Sequence, residues 1–388
     1  MRLLPILATS CFVSSMSMRL IDPVVPDVAR DLAVSAATAA MLASAFAFPY
    51  ALGQPILGAL GDAIGKARVI KTTLAILTVC LALAAVAPDI ETLYAARVIG
   101  GAVGGGVIPL AFALVGDRFA FADRQLALSK LLTAVLAGQL TGSVGSGLIA
   151  SVSGWRTSMA GGAVLALAAL IVTLTQLRPA AGAARKPFNV ATIRGGYAQV
   201  FANPRARICF SAVFVEGIVI FGLFPYLALL LEERGAGGLK EAGFVLAGFG
   251  IGGIIYTVLV PMMLAALGSM NLMRAGAAIA GAALAVLPFA GIWPLEAAVF
   301  VVIGVGFYMI HNSLQTEATE LAPLSRGSAV SAHAFFFFLG QAAGPLLYRL
   351  AFDHVGTEGA LVIGGATMAA TGFATAYALS RRTAVVAT

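Results

Sequence analysis

Residues 58–69 read GALGDAIGKARV, a polar island between two long apolar runs. Its three glycines, one carboxylate and two cations stand out in a chain that is 60% hydrophobic and only 11% charged. Soluble domains carry about 25% charged residues, and here the mean hydropathy is +0.97. A helix crosses a bilayer with about 20 apolar residues, and runs of that size recur along all 388 residues. They are continuous rather than alternating, which excludes the strands of a membrane barrel. The composition predicts an all-α polytopic membrane protein.

Twelve spans are expected, at 3–24, 37–60, 69–87, 92–115, 126–150, 157–177, 206–230, 241–264, 270–290, 293–315, 328–350 and 358–380. The start, MRLLPILATSCFVSSMS, has the look of a signal peptide. No small-residue cleavage site followed by a polar mature start is found there, so it reads as an uncleaved first helix. The three cysteines, Cys11, Cys80 and Cys209, all fall within spans, with neither metal spacing nor a disulfide framework. With both termini placed in the cytoplasm, 17 of the 24 Lys and Arg residues face inward, as the positive-inside rule requires. The net charge of +7 is then topogenic and gives no reason to expect nucleic acid.

The one long connection, 178–205, divides the chain into a bundle at 1–177 and another at 206–388. Span five reads AGQLTGS at 137–143 and span eleven reads LGQAAGP at 339–345, an offset of 202. Arg124 and Arg326, Ala127 and Ala329, and Ser129 and Ser331 match at the same offset. This is the pattern of a parallel repeat of six spans, which places a binding site near the midplane.

The island falls in the short turn between spans two and three. Gly58, Gly61 and Gly65 suit a tight turn and close helix approach, and Lys66 and Arg68 keep it inside. Asp62 runs against the charge of that face. A carboxylate there can complement the positive start of a helix, which makes it a candidate latch.

With these residues in view, GALGDAIGKAR resembles the loop signature of the major facilitator superfamily, Gly-x-Leu-x-Asp-Arg-x-Gly-Arg-Lys. Gly58, Leu60, Asp62, Gly65 and Lys66 match, and Ala63 replaces the arginine. The corresponding stretch near 261–273 lacks the pattern. Arg97 and Gly101 in span four resemble the Arg-x-x-x-Gly pattern of proton-coupled members. Gly138 and Gly142 in span five resemble the Gly-x-x-x-Gly-Pro pattern of the drug–proton antiporters, with Ser143 in place of the proline. The resemblance covers essentially the whole chain. It implies twelve transmembrane helices in two pseudo-symmetric six-helix bundles and a secondary active transporter, not an enzyme. A small organic solute would move by alternating access, in proton-coupled efflux. Proton-coupled uptake of a metabolite is the alternative, and a non-transporting scaffold or sensor is a third reading. The expected setting is a monomer in the lipid bilayer of the inner or plasma membrane, without cofactor or metal.

Ionisable groups inside spans are costly and usually functional. Glu216 lies about 15 Å into span seven by helical rise, and a buried carboxyl group is most easily accommodated with a proton on it. Asp22 and Arg97 lie at matching depths near the outer ends of spans one and four, where an ion pair is feasible. Arg19, at i−3, can share Asp22. These three, Glu216, Asp22 and Arg97, are the candidates for proton coupling. His311 and Gln315, and Asn312 and Gln315, can share a helix face, and His333 enters span eleven from the same side. His311, Gln315 and His333, with the loop residues, are candidate gating groups, because histidine titrates near physiological pH. Gln139 and Gln341 form the repeat-related pair and, with Tyr226, Tyr256, Tyr308 and Asn312, are candidates to line a substrate site. The run Phe335–Phe338 circles its helix and reads as packing or lipid contact, with a cavity-facing role for one or two of the rings as the alternative. GFGIGG at 248–253 and GGAVGGG at 100–106 resemble nucleotide loops, but both lie inside spans, where small residues serve helix packing.

The charge distribution generates one expectation about topology. A single cysteine at position 185, in an otherwise cysteine-free protein, reacts with an impermeant maleimide only from the cytoplasmic side. Labelling of intact cells from outside reverses the orientation.

Overall fold

In a bilayer a peptide group has no water to bond, so each span satisfies its own backbone as a helix. The computed structural model describes residues 3–119, 121–177, 190–322 and 325–386, and no strand occurs among them. The first half of the chain gives α1 (Leu3–Arg19), α2 (Val25–Asp31), α3 (Ala36–Ile64), α4 (Lys66–Ala85), α5 (Ile90–Gly104), α6 (Val107–Arg118), α7 (Phe121–Leu140) and α8 (Ser146–Gln176). The second half gives α9 (Val190–Ala202), α10 (Pro204–Glu216), α11 (Leu227–Glu233), α12 (Leu239–Val286), α13 (Trp293–Glu320) and α14 (Arg326–Val386). Most of the expected linker, residues 178–189, lies outside the described residues, as do the side chains of Asp62, Arg124, Ser129 and Arg326.

Among the described residues nine helical segments are long and apolar enough to cross a membrane. Three of these, Lys130–Gln176, Leu239–Phe289 and Gly327–Arg381, run 47, 51 and 55 residues. That is over twice the length one crossing needs. Each contains one glycine with positive φ, Gly154 at 78°, Gly268 at 68° and Gly356 at 70°, where the backbone leaves helical geometry. Only glycine takes that conformation without steric cost. All three breaks fall inside loops expected from the sequence. At Gly154 the new helix start is braced by α2. Asp27 Oδ2 accepts from Trp155 N at 2.8 Å, and Asp31 accepts from Trp155 Nε1 at 3.0 Å and from Arg156. The first span ends earlier than expected. α1 stops at Arg19, and Pro23 and Pro26 start two short helices in its place, because proline lacks the N–H to continue a helix but fits a first turn.

The chain divides into two compact units. The first comprises Met1–Val190 with Pro225–Leu229 and Gly238–Gly243, and the second Ala191–Phe224, Leu230–Gly237 and Phe244–Thr388. Large apolar side chains such as Val86, Val152, Val258 and Met262 are exposed, an outer surface suited to lipid. Inside, hydroxyls fold back on their own helices, as Ser17 does on Val13 O and Thr73 on Val69 O.

Close helix contacts rest on small residues, and they repeat between the units. In the first, a Cβ on Gly138 would strike Phe12 O and one on Gly142 would press on Met16 O. In the second, Gly340 meets Phe214 O and Gly344 meets Ile218 O in the same way. All four partners are related by the offset of 202 seen in the sequence. Gly101 against Phe46 O recurs as Gly304 against Phe249 O, one residue further along.

Gly340→Val forces side-chain atoms onto the Phe214 carbonyl. Overpacking of this kind costs about 1–3 kcal/mol, so its melting temperature in detergent falls clearly below the parent's. Gly58→Ala, with nothing within 4 Å of the added methyl, holds or slightly raises it. Equal melting of the two variants and the parent contradicts the packing account.

Candidate functional site

The second unit holds a buried carboxylate in an aromatic surround. Glu216 ends α10 and is fully buried. The chain then makes one wide turn of π-helix, Gly217–Phe221, a distortion that helices often carry at functional positions. Glu216 Oε2 lies 3.0 Å from Nδ1 of His311 on α13. That histidine is its one ion-pair partner among the described residues, and Oε1 has no hydrogen-bond partner among them. His311 stacks on Phe307 at 4.9 Å between centroids and tilts against Phe337 at 4.6 Å. His333 on α14 sits 5.1 Å from His311, ring to ring, and its Nε2 also has no partner among the described residues. Phe221 packs edge-on against Phe307, Phe337 and Phe249. This apolar wall leaves Glu216 and the two histidines to answer one another's charge, since a charge buried without a partner is costly.

Beside this cluster Tyr256 stacks on Tyr308 at 6.3 Å between centroids, and Asn312 is half-buried. Gln341 is buried next to Gly217. Gln315, expected to share a face with His311, is exposed. Tyr226 is buried at the end of the turn Phe224–Tyr226 and belongs to the first unit.

The first unit buries a cation instead. Arg97 on α5 donates from Nη1 to Ser17 O at 2.8 Å, from Nη2 to Met18 O at 3.3 Å and from Nε to Leu42 O at 3.2 Å. Its guanidinium lies 4.2 Å above the Phe46 ring. Ser17 and Met18 are in the last turn of α1, whose carbonyls have no intrahelical donors. A cation at a helix C-terminus also meets a favourable dipole. Arg97 thus caps α1, and the feasible Asp22–Arg97 ion pair is not formed. Asp22 pairs with Arg19 at 3.4 Å, the neighbour three residues away in sequence.

At the loop quoted first, Gly65 takes φ 106° between α3 and α4. Lys66 Nζ bonds Asp117 Oδ2 at 2.8 Å, tying the loop to the end of α6, while Arg68 is exposed. The side chain of Asp62 lies outside the described residues. Gln139 is half-buried, and Gly58 has open space around it.

Sequence reasoning singled out Glu216, His311 and His333 separately, and the structure brings them together. It did not single out Asp117, Phe307 or the Arg234–Glu296 pair, 3.1 Å apart with Glu296 fully buried. Asp117 lies in the polar stretch GDR at 116–118, which was a usable signal. Phe337, read as packing or lipid contact, packs against Phe221, Phe307 and His311. Among the described residues no cluster of three or more His, Cys, Asp and Glu side chains is arranged to hold a metal ion.

Comparison with known proteins agrees on the kind of molecule. A family model described as Major Facilitator Superfamily matches residues 7–345. The chain is 24% identical over 354 residues to Multidrug resistance protein 1 of Bacillus subtilis, covering 90% of each chain. It is 23% identical over 353 residues to Quinolone resistance protein NorA of Staphylococcus aureus strain N315, covering 90% of this chain and 89% of that one. Among solved structures, the human organic anion transporter MFSD10 (TETRAN) superposes with a TM-score of 0.74 at 14% identity, over 96% of this chain and 99% of that one.

The capping geometry generates a stability test. Arg97→Leu leaves the Ser17 and Met18 carbonyls at the end of α1 without their donor, at about 1–3 kcal/mol for each buried group left unpaired. Its melting temperature in detergent drops, and more so than that of Arg97→Lys, which keeps the charge and one donor group. Equal stability of all three proteins removes the cap.

Proposed function

The chain belongs to the Major Facilitator Superfamily, and on that premise we propose that it exports a small organic solute in exchange for protons. It is a multi-pass membrane transporter rather than an enzyme. Each of the three long segments broken at Gly154, Gly268 and Gly356 is taken as two crossings, which makes twelve spans in two six-helix halves. The contacts that repeat at an offset of 202 support that division. Both termini are assigned to the cytoplasm of a cell with the protein in its inner or plasma membrane, on the strength of the cation count.

One observation carries the coupling: a fully buried carboxylate whose one ion-pair partner among the described residues is a histidine. An Arg or Lys partner would hold Glu216 permanently charged. With histidine, the pair is neutral overall only when it carries a proton beyond the one on the imidazole. Loss of that proton leaves one uncompensated negative charge in apolar surroundings, which is costly. The proton therefore leaves only when water or a positively charged group of the solute reaches the site. This supports exchange: solute enters from inside as the proton goes, and a proton arriving from outside expels the solute. The relatives are named for multidrug and quinolone resistance, so amphipathic aromatic compounds are the substrates proposed. The rings around His311 offer such compounds a stacking surface.

The test is transport into proteoliposomes with an imposed pH gradient, using a quinolone, a lipophilic dye, a sugar, an amino acid and a nucleoside. The parent accumulates the quinolone or the dye against its gradient. Glu216→Gln, which mimics the protonated carboxyl group but cannot release a proton, abolishes accumulation while binding stays within a few-fold. Solute-induced proton movement that is undiminished in Glu216→Gln at equal reconstitution moves the coupling role away from this residue.

A further inference from the structure

We infer that His311 and His333 form a two-step proton relay between Glu216 and the inner end of the second unit. The inference rests on the reading of Glu216 as the proton-carrying group. It starts from three positions on three helices. Glu216 lies twelve residues beyond Pro204, the start of α10, and His311 nine residues before Glu320, the end of α13. His333 lies seven residues beyond Arg326, the start of α14. At 1.5 Å per residue these depths are about 18, 14 and 10 Å. The three helix ends lie at one face. Asn203 Nδ2 bonds Leu321 O at 2.9 Å, Arg205 pairs with Glu317, and Ser325 Oγ bonds Gln199 Oε1 at 2.7 Å. The three titratable groups therefore descend in order toward that face.

The contacts join them. Glu216 Oε2 and His311 Nδ1 are at hydrogen-bond distance. The imidazoles of His311 and His333 are 5.1 Å apart between centroids and tilted by 59°. No direct hydrogen bond joins the two rings, so transfer between them runs through one intervening water. His333 is 2% exposed, and its Nε2 has no partner among the described residues, an unusual expense for a buried polar atom unless something visits it. Polar groups on the same helices have partners of their own. Arg205 pairs with Glu317, and Tyr348 donates to Val219 O.

Each transfer balances. The Glu216 carboxyl group gives its proton to Nδ1 of His311, leaving a carboxylate, and His311 gives up the proton on its other ring nitrogen. His333 accepts that proton at Nε2 and releases one from its own second nitrogen toward the inner face. Each ring ends neutral with its proton on the opposite nitrogen, and returns to the starting tautomer by exchange with water when that face is open. The single negative charge left behind is the one on Glu216. In this scheme His333 is a positioning and relay residue and does not bind solute.

The relay is tested without any solute, on the purified full-length chain in detergent. The probe is the infrared carbonyl band of protonated carboxyl groups, followed after a pH jump, and the Glu216 signal is the part absent from Glu216→Gln. In the parent this signal appears and disappears with pH. In His333→Gln and His333→Asn it reaches the same amplitude but about a hundredfold more slowly, the low end of what a positioned acid–base group contributes. Imidazole added to His333→Ala restores the rate, which it would not do for a residue that only packs. Parent-like rates in the folded His333 variants overturn the relay and leave the Glu216 reading standing. A parent with no titrating band that vanishes in Glu216→Gln overturns that reading and the relay with it.

Discussion

A backbone carbonyl in hydrocarbon has no water to turn to, and most of this structure follows from that single constraint. It makes the described residues helical. It sends the hydroxyls of Ser10, Ser17, Thr73, Thr173 and Ser313 back onto carbonyls of their own helices. It also explains where the buried guanidinium goes. α1 must stop before Pro23, stopping leaves carbonyls at Ser17 and Met18, and Arg97 reaches across from α5 to take both. The groups in direct contact with this cation are carbonyl dipoles rather than an anion, and Asp22 pairs with Arg19.

The same constraint gives Glu216 its character. A carboxylate that cannot be hydrated needs a proton or a cation, and here the partner is a group that can be either neutral or charged. The Glu216–His311 pair can change its net charge; the Arg97 cap cannot, because carbonyl oxygens do not titrate. That difference, more than burial alone, separates a group suited to coupling from one suited to holding helices together.

Much of this was legible in the sequence and some was not, for physical reasons. The apolar runs mark the helices because a bilayer span has a required length. Gly154, Gly268 and Gly356 could be placed in loops because they interrupt those runs. Glu216 stood out because few acids are tolerated at such depth. Its pairing with His311 did not, because that residue is 95 positions away and only the packing of α10 against α13 decides that they meet. The partners of Arg97 were invisible in principle, since every residue has a carbonyl and no residue type announces one left over at a helix end. The expected Asp22–Arg97 pair came from matching depths. Depth is one coordinate of three, and Arg19 at i−3 was the nearer cation throughout.

The repeat sharpens the contrast between the two buried charges. The scaffold contacts recur, with Phe46 O against Gly101 answered by Phe249 O against Gly304. The ionisable groups do not. At the offset of 202 that relates α1 to α10, Glu216 corresponds to Ser14, whose hydroxyl bonds Gly104 O at 3.1 Å. One residue further on, at the offset that relates α5 to α13, Arg97 corresponds to Phe300, a buried member of the aromatic cluster around Phe224. Each unit thus carries a buried charge where the other carries a neutral group on the same framework. The charge at each site therefore belongs to its own unit rather than to the repeated framework: Arg97 answers the carbonyls that α1 leaves over, and among the described residues no such structural need calls for Glu216. Of the two, only the one facing a histidine can be switched off and on.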